Sequence, residues 1–180
     1  MISLPSAIVR GGQDLTFLSL AVDAFIQVGI DLTAIQEVFT LSVDDLTLMP
    51  NMAGSVLGLI HHRNRLLWAV DLGDFLGLLP RRSSVTEYAV AIVFAQDTPI
   101  AFGVQSIGGL LRLTTEEIRS LPGVETPAER LVVCAQGYLD RESLPTFLLN
   151  ADSLIKTVLQ FAHEQTDSRQ AINSRRDDRV

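Results

Sequence analysis

Apolar and polar residues alternate with a period of two in several short segments of the chain, which is the pattern of strands that bury one face. Leu18, Leu20 and Val22 share one face of the segment LTFLSLAV. In the segment RLLWAVDL, Arg65 and Asp71 lie on the polar face, and the apolar face consists of Leu66, Trp68, Val70 and Leu72. Many short strands with little chain between them favour small closed barrels over an α/β sheet.

Further strands are predicted in the middle and at the end of the chain. The stretch EYAVAIVFAQDTPIAFGVQSIGG contains two of them, separated by residues 96–99, whose residue types favour a turn. Shorter strands are predicted in the segments GLLRLT, RLVVCAQGYL and SLPTFLLN. The apolar faces of the two longer strands are Val90, Ile92 and Phe94 on the first and Ile100, Phe102 and Val104 on the second.

Helices are predicted to be few. Thr114 and Glu117 have capping-box spacing, which predicts a single helical turn. The segment NADSLIKTVLQFA is the one clear helix, and we expect its apolar stripe to pack against a barrel. The stripe consists of Leu154, Ile155, Val158, Leu159 and Ala162.

A break between two strand-rich halves is predicted at LGLLPRRSSVTE, where Gly77, Pro80 and a polar run interrupt the pattern. We expect a first barrel over about residues 15–80 with the helix of residues 150–163, and a second barrel over about residues 85–149. Residues 1–14 form a predicted N-terminal tail. Residues 164–180 are nearly devoid of apolar side chains, which predicts a disordered tail.

Composition narrows the classes of function. A formal net charge of −7 disfavours nucleic acid and anionic membrane surfaces as partners, because both require clustered Lys and Arg. No stretch approaches the roughly 20 apolar residues of a membrane span, and the N-terminus lacks the pattern of a secretory signal. The single cysteine, Cys134, lies in an apolar run and is predicted to be a buried side chain rather than a reactive thiol. These features predict a cytoplasmic protein.

The segment GLIHHRNRLLWAVDL contains the residues that most invite a chemical role. Adjacent strand residues point to opposite faces, so His61 and His62 are not expected to bind one metal ion, and His163 is far away in sequence. The adjacent acids at residues 44–45 and 116–117 are expected to be solvated. Nucleophile, phosphate-loop and metal motifs do not occur, so we expect no catalytic residue, metal site or cofactor.

The order of three segments is more specific than any one motif. VGIDLTAIQEVF, LMPNMAGSVLGLIHHRNRLLWAVDL and PIAFGVQSIGGLLRLTTEEIRSLP together resemble the CheW-like family of chemotaxis coupling proteins, over roughly residues 15–160. The resemblance implies a mainly β fold with two SH3-like five-stranded β-barrel subdomains, few short helices and a C-terminal helix. It implies no enzymatic activity. The implied role is an adaptor, associated with cytoplasmic receptor arrays, between the cytoplasmic tip of methyl-accepting receptors and the regulatory domain of a CheA-type histidine kinase.

The resemblance also implies a receptor-binding site. Ile35 and Glu37 match the V-Q-E segment of the family, and Gly58 and Arg63 match its G-V-I-N-L-R-G turn. In the family these positions lie at or near the groove between the subdomains where a helical hairpin of the receptor docks. An arginine beside such a groove can contact a carboxylate or an amide of the helix.

The chain departs from the family pattern at several positions. His61 and His62 stand where the family has Asn-Leu, and Asn64 replaces a glycine whose left-handed conformation Asn tolerates. Gln105 replaces an aspartate, and residues 53–54 replace a proline. The departures suggest a divergent member tuned to its own receptor, with phototaxis or type IV pilus motility as alternatives to flagellar chemotaxis.

Two other functions remain open from the sequence. The chain could be a barrel that binds a small ligand or hydrolyses a substrate with His61 or His62 as the base. It could also compete for receptor or kinase without relaying a signal.

Overall fold

The computed structural model describes residues 15–78, 85–121, 128–140 and 144–162, and within these residues ten strands form two five-stranded sheets. Sheet A has the strand order β8-β1-β2-β10-β9, and sheet B has the order β3-β6-β7-β5-β4. The predicted fold class, mainly β with two five-stranded subdomains, is confirmed. The strands are β1 (Leu15–Ala21), β2 (Gln27–Asp31), β3 (Ile35–Ser42), β4 (Val56–His62), β5 (Arg65–Asp71), β6 (Glu87–Ala95), β7 (Thr98–Val104), β8 (Ser106–Leu113), β9 (Ala135–Leu139) and β10 (Thr146–Leu149).

Three α-helices occur in the described residues: α1 (Leu72–Leu76), α2 (Glu129–Cys134) and α3 (residues 151–162). The predicted C-terminal helix is α3, although His163 lies outside the described residues. Single 3₁₀ turns cover residues 32–34, 43–45 and 115–117, and the last of them has the predicted capping box of Thr114 and Glu117. None of the helices in the described part of the chain has the length and hydropathy needed to cross a membrane.

Two local predictions were wrong. The apolar run of residues 130–134 belongs to helix α2 instead of a strand, and only the residues after it enter β9. Such a short run has no clear periodicity and fits either structure until packing decides. On β5, Leu66 is 64% exposed and Trp68 is 41% exposed, whereas Leu67 and Ala69 are buried, so the apparent apolar face points outward over half its length.

The path of the chain through the sheets differs from a division into two consecutive halves. After β1 and β2 in sheet A, the chain enters sheet B with β3 and stays there through β7, before β8, β9 and β10 complete sheet A. Two parallel pairs, β2 with β10 and β5 with β7, join strands that are far apart in sequence. Barrels over about residues 15–80 and 85–149 therefore do not describe the sheets. The predicted tails and residues 79–84 of the predicted break lie outside the described residues.

One apolar core is shared by the two sheets and helix α3. Sheet A contributes side chains from β1 and β2, sheet B contributes the outward faces of β5, β6 and β7, and α3 contributes three buried residues of its predicted stripe. Burial of a large aliphatic or aromatic side chain stabilises the fold by about 1.5–3 kcal/mol, so this core joins the two sheets firmly. Its largest contributors include Leu20, Ile30, Phe75, Phe102, Leu154 and Ile155.

Each sheet also has a core of its own. Leu57, Leu67 and Val90 belong to a separate cluster inside sheet B, and Phe17 and Leu148 belong to a smaller cluster in sheet A. Neighbouring residues of a strand in sheet B therefore face either the inside of that sheet or the shared core. This alternation determines which side chains of β3 are available at the surface.

Cys134 is fully buried at the end of α2, as predicted from its apolar surroundings. Burial raises the pKa of its thiol, and this effect is opposed in part by a hydrogen bond with Thr157 and by the charge of Arg130. Since the folded state disfavours the thiolate, the stability that this group contributes is present at neutral pH. It is lost as the pH rises past the ordinary thiol pKa of 9.0.

We therefore expect Cys134 of the folded protein to react with an aromatic disulfide reagent at pH 8 at a rate about a hundredfold or more below that of the urea-denatured protein. Stopped-flow absorbance measures both rates. Equal rates in the two states would contradict the buried placement of this side chain.

Candidate docking site

Sheet B has two edge strands, β3 and β4, that lie at opposite ends of its strand order yet come together in space. In the described part of the chain, backbone pairing between β4 and the segment after β3 is confined to Thr47 and Leu59, which exchange two hydrogen bonds of 2.8 and 2.9 Å. Nearer the β4–β5 turn, side chains make the connection. The residues involved, Glu37, Phe39, His62 and Arg63, are called the Glu37 cluster below.

The carboxylate of Glu37 binds two basic side chains with its two oxygens. Arg63 Nη2 lies 2.8 Å from Oε1, and His62 Nε2 lies 3.1 Å from Oε2. The side chain of Glu37 is 25% exposed, so its two partners replace much of the water that it would bind in isolation. These two contacts link the beginning of β3 to the end of β4 and the turn that follows it.

His62 is also fixed by an aromatic contact. Its ring stacks on that of Phe39, with centroids 4.3 Å apart and planes inclined by 13°. Phe39 in turn packs against the core inside sheet B. His61 is exposed instead, so the two adjacent histidines differ in environment as the alternation of a strand requires.

Arg63 and Asn64 form the tight turn between β4 and β5. Their φ angles are 44° and 62°, the left-handed pair of a type I′ hairpin turn. The expectation that Asn64 adopts the conformation of the glycine it replaces is confirmed. An arginine is unusual in the first position, where Asn, Asp or Gly is favoured, and here it extends its guanidinium towards β3.

Ile35 is separated from Glu37 by a β-bulge. Ile35 pairs with Val93, whose side chain belongs to the shared core, whereas Glu37 pairs with Ile92, whose side chain belongs to the core inside sheet B. Ile35 accordingly packs against the shared core. Although the two residues are two positions apart on one strand, the extra residue sends them to opposite sides of the sheet.

Gly58 lies away from the Glu37 cluster, at a bulge in β4. Its φ is +139°, a conformation that side chains rarely adopt, and a Cβ there would clash with the carbonyl oxygen of Thr47. That carbonyl accepts a hydrogen bond from the amide of Leu59, so the contact closes the sheet. Gly58 has a structural reason for being glycine.

A cleft of about 380 Å³ follows the gap between β3 and β4. Its lining includes Asp45 and both histidines, besides the aromatic and aliphatic residues Phe39, Leu41 and Ile60. Within the described residues, no group of three or more His, Cys, Asp or Glu side chains is arranged to hold a metal ion.

Sequence reasoning identified Glu37 and Arg63, which the structure brings together, and grouped with them Ile35 and Gly58, which it does not. It left out Phe39 and His62. A signal for Phe39 was present, because it follows Glu37 at a spacing of two on a predicted strand and so shares its face. The contact of His62 depends on the meeting of β3 and β4, which has no local signal.

Comparison with known proteins agrees with the observed two-sheet fold. The model of the CheW-like domain family matches residues 18–158. The fold is similar to that in the crystal structure of the scaffolding protein TtCheW from Thermoanaerobacter tengcongensis, with a TM-score of 0.66 and 16% sequence identity, covering 79% of this chain and 92% of that one. No curated protein sequence matches the chain.

The geometry at Gly58 predicts that Gly58→Ala lowers the free energy of unfolding by about 2 kcal/mol or more, because the new methyl group meets the Thr47 carbonyl in a strained backbone conformation. Urea unfolding followed by circular dichroism measures the change.

Gly109→Ala is the matched control, since a Cβ at Gly109 would meet no atom within 4 Å. We expect that variant to remain within about 0.5 kcal/mol of the native protein. If the two variants were equally stable, the structural role of Gly58 would be disproved.

Proposed function

Because the chain belongs to the CheW-like domain family, we propose that it is a non-enzymatic signalling adaptor that couples methyl-accepting receptors to a CheA-type histidine kinase. It would act in the cytoplasm at receptor arrays, in a chemotaxis, phototaxis or type IV pilus motility pathway. The observation that carries the proposal is the pair of Glu37 and Arg63, which occupies family-matching positions and leaves the arginine largely accessible.

The energetics of Arg63 support a role in binding. Its side chain is 76% exposed, and an ion pair so exposed contributes about 0.2–1 kcal/mol to stability. Its left-handed backbone costs about 1–2 kcal/mol relative to a residue such as glycine. The ion pair alone therefore does not account for an arginine in this turn, whereas contact with a partner would.

The edge strand β3, whose Glu37 binds Arg63, suits a helix. Val38 follows Glu37 on this strand, and its side chain is exposed. Ile35 lies on the side of the same strand that packs against the core shared by the two sheets. An amphipathic helix of the receptor tip can lay apolar side chains along this strand and offer a carboxylate or amide to the guanidinium. Contacts with the regulatory domain of the kinase are proposed for other exposed ends and edges of the barrels.

The alternative of a ligand-binding or hydrolytic barrel has less support. His62 Nε2 is already engaged by Glu37, and one face of the ring is covered by Phe39. His61 is exposed, and no hydrogen bond or ion pair in the described residues orients it as a base would need. The adaptor function uses the observed contacts without requiring either histidine to act chemically.

We predict that Arg63→Ala and Glu37→Ala each weaken binding to the receptor about tenfold, because the first removes the guanidinium and the second removes the group that orients it. The ligand is a purified helical-hairpin fragment from the cytoplasmic tip of a methyl-accepting receptor of the same organism. Isothermal titration calorimetry measures the dissociation constant, and urea unfolding should show a loss of stability of at most about 1 kcal/mol.

Arg119→Ala serves as the control. Arg119 forms a similarly exposed ion pair with Asp140, at 3.1 Å, but lies beside β9 of sheet A. That variant should bind the fragment like the native protein. The proposal fails if the native protein does not bind the fragment, and the assignment of the site fails if all three variants bind equally well.

A further inference from the structure

The two partners of Glu37 differ in their freedom to move. Arg63 is 76% exposed at the tip of a turn, whereas the side chain of His62 is only 21% exposed and is stacked on Phe39. Each binds a different oxygen of the carboxylate. Arg63 can therefore leave without disturbing the other contact, but His62 is held from two sides.

The departure of Arg63 would be costly if it were the only partner of Glu37. A largely buried carboxylate that loses its hydrogen-bond donor is left with a desolvation penalty that the new contact must overcome. With His62 in place, the carboxylate keeps a donor while the guanidinium turns to another acidic or amide group.

We infer that His62 is a positioning residue of the docking site, which retains Glu37 against β4 so that Arg63 is free to bind a carboxylate or amide of the partner. The inference rests on the proposed function. It assigns a role to the histidine that stands at a departure from the family pattern, and it distinguishes that histidine from its exposed neighbour His61.

The contact requires a hydrogen-bond donor on the ring of His62. An ionised carboxylate only accepts hydrogen bonds, so Nε2 is the donor to Glu37.

Two substitutions separate the hydrogen bond from the packing. His62→Phe keeps an aromatic ring against Phe39 but removes the donor to Glu37. His62→Gln places an amide donor near the position of Nε2 and never gains a charge. His61→Gln is the matched control, since it changes the neighbouring histidine on the other face of the strand.

The test measures binding of the same receptor fragment by calorimetry at about pH 8. We expect His62→Phe to bind about fivefold more weakly than the native protein and His62→Gln to recover most of the loss. His61→Gln should bind the fragment like the native protein. Circular dichroism verifies that each variant is folded.

The outcomes separate the inference from the proposed function. Absence of binding by the native protein refutes the proposed adaptor and, with it, this role of His62. If the native protein binds and both His62 variants match it in affinity, the inference alone is wrong. The same holds if His62→Gln binds no better than His62→Phe, or if His61→Gln weakens binding as much as His62→Phe does.

Discussion

The apolar core between the two sheets constrains the rest of the molecule. Strands of sheet B pack one face against this shared core and the other face against the separate core inside sheet B. For β3 this requirement changes along the strand. The bulge after Ile35 places that residue in the shared core and turns Glu37 to the opposite side, where it meets the end of β4. One extra residue thus connects the packing of the sheets to the position of the proposed docking site.

Closure of sheet B imposes a second constraint. Its edge strands carry backbone groups that could pair with other chains, and within the described residues β4 is paired at its edge only where Thr47 bridges Leu59. Towards the turn, the Glu37 cluster replaces backbone pairing with side-chain contacts. Individually these contacts contribute about 1 kcal/mol or less, so a partner can rearrange them without unfolding the sheet.

The sequence was sufficient to predict features that depend on local pattern or on motif order. Alternation indicated the strands, the apolar stripe indicated α3, and the resemblance indicated two subdomains and singled out Glu37 and Arg63, whose contact with each other only the structure shows. Features that depend on distant pairing were not accessible. The bulge after Ile35 reverses a face that simple alternation would assign, and the strand order follows from parallel pairs between residues far apart. Gly58 was recognised as important, but its close approach to Thr47 appears only in three dimensions.

The contrast between His62 and Arg63 shows how a small change in sequence can alter binding while leaving the fold intact. Both residues contact one carboxylate, yet one is stacked between strands and the other projects from a turn. A substitution at the partly buried His62 changes how firmly Glu37 is held, and a substitution at the exposed Arg63 changes the surface that the proposed partner would contact. Since neither contact belongs to an apolar core, the cost to folding is small and the effect falls mainly on affinity. In the proposed adaptor, the residues around Glu37 can in this way be tuned to its receptor without changing the fold.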